Sequence, residues 1–253
     1  MTTKVVGIVC ALQGEARHLG PTVPRHASVT SRADGTLVAI AGVGCTAATA
    51  AAYKLVEAGA AALVSWGMAG GLDPALAAGR IFLPSEVAGI GGASISTAQP
   101  WREQLSAALL AYDPLTGGKL LTSSRSIASV AAKAALFRET AAAAVDMESL
   151  SVAQVALAHA LPFIAVRVIV DGAGDALPSA VRDAADATSG QLRVWRLFGQ
   201  ILLAPAGVTS VLRLARGYWA ANRALAVVAR TGHLAPGAFA LGPDTGGSQG
   251  AAV

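Results

Sequence analysis

Ala144-Val-Asp-Met-Glu-Ser149, an apolar run over residues 150–161, then Pro162-Phe-Ile-Ala-Val-Arg-Val-Ile-Val-Asp171: this stretch decides the fold. Its first part ends a short extended run. Leu150, Val152, Ala153, Val155, Ala156, Leu157 and Ala160 then recur with the spacing of a helix. Residues 163–170 are β-branched and apolar on both faces, the signature of a buried parallel strand. Glu148 and Asp171 therefore each close a strand at its carboxyl end, the edge of an open α/β sheet where ligands bind. Acids in these places also serve as first-turn residues that meet the positive end of a helix dipole, so spacing alone leaves both roles open.

Working outward, residues 5–12 read as the first strand and 36–41 as another. Gly42-Val-Gly-Cys-Thr-Ala47 opens a helix to about residue 58. Residues 61–65 form a strand closing on Trp66-Gly-Met-Ala-Gly-Gly-Leu72. Residues 81–90 are extended, with a break expected at Pro84, and 91–100 are loop-like. Helices are expected over 101–112 and 127–141, with a short strand at 120–124 between them. This alternation predicts an α/β three-layer sandwich, a mainly parallel or mixed central sheet flanked by helices. Residues 1–189 form its core, and 190–231 supply two basic amphipathic helices, split at Pro205-Ala-Gly207, that complete the same domain. The Gly/Pro/Ala-rich residues 232–253 are expected to be a disordered tail.

Composition narrows the function classes. Of 253 residues 54% are apolar and only 13% charged, against a typical quarter, so nothing suggests a nucleic-acid binder. The four His and two Cys (Cys10, Cys45) are scattered without metal-ligand or redox spacing, so no metal and a reduced, cytoplasmic setting are expected. The first apolar run is too short for a signal peptide or a membrane span. The net charge of +4 is local: residues 190–231 hold six Arg and no acid. Arg213, Arg216, Arg223 and Arg230 share one side of the second helix, opposite Val211, Leu214, Tyr218 and Leu225. With Trp195 and Trp219 nearby, this is also the pattern of an interfacial helix, so peripheral contact with the inner membrane surface stands beside an ordinary solvated face.

Gly42-x-Gly44-x-x-Ala47, after a strand and opening a helix, copies the dinucleotide fingerprint and raises a rival, an NAD-dependent oxidoreductase. That fingerprint needs an acid about 20 positions on, at the end of the next strand. The chain has Ser65-Trp66-Gly67 there, and the rival lacks its ribose ligand.

Val-Asp-Met-Glu-Ser, a helix, then the strand ending at Asp171 resembles the nucleoside phosphorylase and nucleosidase superfamily. Its methylthioadenosine/S-adenosylhomocysteine nucleosidases read Val-Glu-Met-Glu and Arg-Ala-Ile-Ser-Asp in the same order. Gly7-Ile-Val-Cys-Ala-Leu-Gln-Gly-Glu15 is similar to that family's opening Gly-Ile-Ile-Gly-Ala-Met-Glu-Glu-Glu, and Met68-Ala-Gly-Gly-Leu72 to its Ser-Ala-Gly-Gly-Leu turn. The resemblance implies that Glu15 activates a water, that Glu148 binds the ribose hydroxyls with Met147 against the sugar, and that Asp171 protonates purine N7. It also implies that the backbone of Met68, Ala69 and Gly70 lines the sugar and nucleophile side. Each role suits its side chain: a carboxylate accepts two hydrogen bonds from a vicinal diol, and a positioned acid eases departure of an anionic base. Asp146 replaces a family Glu and receives no role.

The chain also departs from that pattern. Val170 stands in the binding site where the nucleosidases carry Ser, Met68 where many relatives carry Ser or Thr, Leu12 replaces Met, and no aromatic residue lies around 123–127 to stack on the base. The block 66–76, the Ala144–Ser149 words and the Arg-rich C-terminal segment resemble the hopanoid-associated phosphorylase branch. That resemblance implies adenine removal from adenosylhopane, with water or phosphate as acceptor and no other cofactor. The alternatives are methylthioadenosine/S-adenosylhomocysteine nucleosidase activity and a nucleoside-binding protein without turnover. Relatives imply a homo-oligomer, a dimer first.

Overall fold

The structure, a computed structural model, describes residues 5–20, 28–92, 94–177 and 208–234. Eleven strands form one mixed sheet: β1 (Val5–Cys10), β2 (Val29–Ser31), β3 (Leu37–Ile40), β4 (Ala60–Gly71), β5 (Ile81–Leu83), β6 (Glu86–Gly89), β7 (Ser94–Ser96), β8 (Leu115–Thr116), β9 (Lys119–Thr122), β10 (Ala144–Asp146) and β11 (Phe163–Asp171). Among the described residues the α-helices are α1 (Gln13–Ala16), α2 (Cys45–Glu57), α3 (Gln99–Ala108), α4 (Val130–Thr140), α5 (Ser149–Ala158) and α6 (Val208–Arg230). The principal path runs β2-β3-β1-β4-β10-β9-β6-β7, while β11 lies between β4 and β5, and β8 borders β5.

β4 is the spine. Its first half pairs in parallel with β1, up to Cys10 opposite Trp66. Its other edge pairs in parallel with β11, and past the end of β1 it turns to β10, antiparallel, through Gly70 and Gly71. The sequence reading ends this strand at Ser65 and makes the following glycines a turn. In the fold they remain strand, because β10 and β11 supply the hydrogen-bond partners on either edge that a short apolar run does not announce.

Two apolar cores lie on the two faces. α2 and α5 cover one, burying Ala48, Ala51, Ala52 and Leu55 with Val152, Ala153, Val155 and Ala156. On the other, Trp66, Ile81, Val166 and Val168 pack with Trp101 and Leu105 of α3 and with Ala221, Leu225 and Val228 of α6. The three-layer expectation holds, as does the break between β5 and β6 at Pro84. Inside the expected loop 91–100, β7 pairs back on β6 as a hairpin edge; three residues, none fully buried, leave too little apolar pattern to mark a strand. The expected helix 101–112 ends earlier, at Ala108, and continues as a 3-10 turn over Leu110–Tyr112.

The second of the two expected C-terminal helices is α6; the first, and the tail beyond residue 234, lie outside the described residues. Arg213, Arg216, Arg223 and Arg230 are exposed while Leu225 is buried, so packing on the sheet already accounts for this pattern. Tyr218, expected on the apolar side, stays partly in solvent, and Trp219 is 73% exposed. None of the described helices is long and apolar enough to cross a membrane.

α6 crosses β11 through a glycine. A methyl at Gly217 would land on the Val170 carbonyl oxygen, directly before Asp171. Gly217→Ala is expected to push α6 off the sheet and to cost about 1–3 kcal/mol, measured as a shift of the urea midpoint without a change in slope.

Candidate active site

All three carboxylates singled out in the sequence are buried, Glu15 and Asp171 against the last part of β4 and Glu148 at the start of α2, each for a local reason. Glu15 sits in the single turn α1 that follows β1. Its Oε2 accepts the Leu12 N–H at 3.0 Å, capping its own helix, and its Oε1 accepts the Met68 N–H of β4 at 3.0 Å. The first-turn role is thus met by one oxygen while the other is held against β4. Trp66 fixes this turn by donating its indole N–H to the Glu15 carbonyl at 3.1 Å. Gly67 makes the approach possible, since a Cβ there would sit 2.5 Å from Glu15 Oε1.

Glu148 is the residue before α5. Its Oε1 accepts the Gly44 N–H at 2.8 Å, and its Oε2 the Met147 N–H at 3.3 Å. Gly44 precedes α2 with φ of +100°, a conformation that glycine adopts without strain. The dinucleotide-like glycines therefore place a helix N-terminus on an internal carboxylate, where the positive end of the dipole receives it. The pyrophosphate that such a turn would otherwise cradle is not needed to explain them. Met147 is half-buried, and its carbonyl accepts from Cys45 Sγ at 3.4 Å.

Asp171 ends β11, and a bulge aims it. The β4 register moves from Ile169 opposite Ala69 to Asp171 opposite Gly70, leaving Val170 out of the pairing. Bulges of this kind re-aim one side chain at the rim of a sheet. Gly70 faces Val145 of β10 on its other edge, so one bare residue joins the strands that carry Glu148 and Asp171. Gly67 and Gly70, the approaches of Glu15 and Asp171, lie roughly 10 Å apart along the strand. Val170 and Asp171, with Asp175, Ala176, Leu177, Arg213 and Leu214, line a small surface pocket. Met68 and Val170 are half-buried and pack on the α3/α6 core, while Ala69 is buried on the opposite side, among the α2/α5 residues.

Three residues without a role in the sequence reading hold this arrangement. Asp146 is buried and receives Arg167: Nε donates to Oδ2 at 2.9 Å and Nη2 lies 2.7 Å from the same oxygen. Arg167 Nη2 also donates to Ser65 Oγ at 2.7 Å, and Ser149 Oγ pairs with Ser65 Oγ at 3.0 Å. Thr122 donates to Asp146 Oδ1 at 2.7 Å, while the Ser149 and Leu150 N–H groups bind Asp146 and Thr122. The free donors at the start of α5 are thereby satisfied by side chains. Lys133 of α4, fully buried, bridges to Asp171. Arg167 was legible as a charge inside an otherwise apolar strand, and Lys133 as a lone charge in Ala-Ala-Lys-Ala-Ala; only the fold names their partners.

Burial sets the electrostatics. It pushes the carboxyls of Glu15 and Asp171 above their ordinary range, countered at Glu15 by Arg167 and the Leu12 and Met68 amides, and at Asp171 by Lys133. Glu148 is pushed up to about 7 by burial and by the neighbouring Asp146 charge, against Arg167 and the Gly44 amide. Burial also raises the Cys10 thiol, consistent with an inert core residue. Among the described residues no group of His, Cys, Asp and Glu is arranged to hold a metal ion.

The mixed α/β sheet flanked by helices is that of a nucleosidase or nucleoside phosphorylase, an enzyme that cleaves an N-glycosidic bond. Residues 5–194 match the model of the phosphorylase superfamily, and the chain belongs to that family. The fold is shared with a 5′-methylthioadenosine/S-adenosylhomocysteine nucleosidase from Neisseria meningitidis, bound to methylthio-immucillin-A: TM-score 0.65, 18% identity, 90% of this chain and 97% of the other. A Helicobacter pylori nucleosidase of the same name gives 0.66, 14%, 91% and 97%. Futalosine hydrolase of Helicobacter pylori gives 0.63, 16%, 90% and 98%. No curated protein matches the chain in sequence.

Two predictions follow from these charges. Arg167→Met strands the Asp146 carboxylate in the core and is expected to cost about 3–5 kcal/mol; adding Asp146→Asn to it should recover part of that loss in denaturant titrations. Glu148 carries the opposite sign of effect. A carboxyl raised on folding penalises the fold once ionised, from the ordinary value of 4.5 up to about 7. Glu148→Gln is therefore expected to gain on wild type as the pH rises from about 5 to about 8, by on the order of 1–3 kcal/mol. Equal pH dependence of the two proteins would refute the assignment.

Proposed function

We propose that this chain hydrolyses the N-glycosidic bond of an adenosine bearing a 5′ substituent, in the manner of a methylthioadenosine/S-adenosylhomocysteine nucleosidase. The observation that carries the reading is three buried carboxylates that follow or end β1, β10 and β11, each held by its own hydrogen-bond partners. Glu148, its oxygens fixed by Gly44 and Met147, accepts the ribose diol and supports the cationic character that builds on the sugar. Asp171 delivers a proton to N7 as the bond to the base breaks. Glu15 takes the proton of the attacking water. Its Oε1 is already anchored to the Met68 amide, which aims the carboxylate at the sugar side of β4.

The acceptor is water on two grounds. A phosphate dianion needs fixed cationic donors, and the buried guanidinium of Arg167 is already engaged by Asp146 and Ser65. A dianion there would also face Glu15 and Glu148. The similar solved structures are named as nucleosidases and hydrolases, which supports both the water and the smaller 5′ group. The adenosylhopane expectation draws no comparable support, and a size series of 5′ substituents resolves it.

Adenine release from 5′-methylthioadenosine is expected without phosphate and unchanged on adding it; strict phosphate dependence overturns the hydrolytic reading. Asp171→Asn is expected to lose on the order of 10²–10⁴-fold in kcat while still binding the nucleoside. A loss of only a few-fold would place the N7 proton elsewhere.

A further inference from the structure

Helix α4 has a single fully buried residue, and it is a lysine. Placing an ammonium there costs several kcal/mol unless charge and hydrogen bonds repay it, and all three of its donors are used. Lys133 Nζ bridges to Asp171 Oδ2, to the Gly172 carbonyl at 2.8 Å and to the Asp175 carbonyl at 3.0 Å. Its side chain is 0% exposed and that of Asp171 5%, so the ammonium is inside and the carboxylate meets solvent only at its pocket edge. The loop that follows β11 is folded back on the same point, with Asp175 Oδ2 accepting the Gly172 N–H at 3.0 Å.

We propose that Lys133 is a positioning residue for the Asp171 acid: its ammonium aims the carboxyl into the pocket and balances the negative charge left there when the proton departs. The inference rests on the glycosidase reading of Asp171. The bond from C1′ to the base breaks with its electron pair passing to the base, while the Asp171 proton goes to N7, so the base leaves neutral. Water adds to C1′ and gives its proton to Glu15. Asp171 ends ionised against Lys133, Glu15 ends protonated, and exchange with solvent restores both.

The charged surroundings of Asp171 make Lys133 the controlling group. From α4 comes its ammonium. From the loop comes the Asp175 carboxylate, which is partly offset by Arg213 of α6 at 3.4 Å. Gly70 of β4, which faces the carboxylate, carries no charge. Burial and Asp175 raise the Asp171 value and Lys133 lowers it. Without the ammonium, Asp171 would be a weaker acid that keeps its proton to higher pH.

Lys133→Gln separates charge from tethering, because the amide can still donate to the loop carbonyls. With 5′-methylthioadenosine as substrate, it is expected to lower kcat on the order of 10²-fold. The falling high-pH limb of the kcat profile should move upward by about 1–3 pH units. Lys133→Arg, which keeps the charge, should leave the limb in place, and Lys133→Met, which keeps the apolar stem, should repeat the Gln shift if the amide variant does not fold. A reduced kcat with an unmoved limb would reduce Lys133 to a loop tether and overturn the proposal. The carbon-13 signal of the Asp171 carboxyl, assigned by its loss in Asp171→Asn, gives a reading without substrate: it should titrate at higher pH in Lys133→Gln. Wild type inactive on every adenosine tested would sink the glycosidase reading, whereas an unshifted carboxyl titration would sink the pair itself.

Discussion

The buried ion pair of Asp146 and Arg167 is the constraint on which the site depends. Both side chains are almost wholly inside, at 1% and 2% exposure. Their desolvation is repaid only because every remaining donor and acceptor finds a fixed partner. Those partners come from β4 (Ser65), β9 (Thr122) and the start of α5 (Ser149), so one charge pair ties together the strands that meet at the cleft. Glu148 lies two residues beyond Asp146 and Asp171 four beyond Arg167. Their positions are consequences of that knot.

β4 turns the knot into a pocket. A side chain at position 67 would exclude the Glu15 carboxylate that comes to lie against it. Bare backbone admits Glu15 at one point and Asp171 at another, and leaves its amides available as donors, as the Met68 N–H to Glu15 shows. Gly44 serves the same end from outside the sheet, aiming the N-terminus of α2 at Glu148.

The site also holds its acids against their preference. Burial favours the neutral form of Glu15, Glu148 and Asp171 alike, countered at Glu15 by Arg167 and backbone amides, at Glu148 by Arg167 and the Gly44 amide, and at Asp171 by Lys133. Such a cluster costs stability that an apolar core would not.

The sequence by itself determined the layer architecture, because helical and strand periods and the apolar run 163–170 depend only on local pattern. It also located Glu15, Glu148 and Asp171, since each follows a strand at a position where chain order alone implies the sheet edge. What it did not determine was whatever needed a partner distant in sequence. The extension of β4 through Gly71 depends on β10 and β11, far along the chain. The bulge at Val170 depends on the register against β4. The roles of Asp146, Arg167 and Lys133 depend on which opposite charge each one meets. A buried charge is visible in sequence as an anomaly, but its partner is chosen by the tertiary structure, because only close packing brings Lys133 to Asp171 across 38 residues.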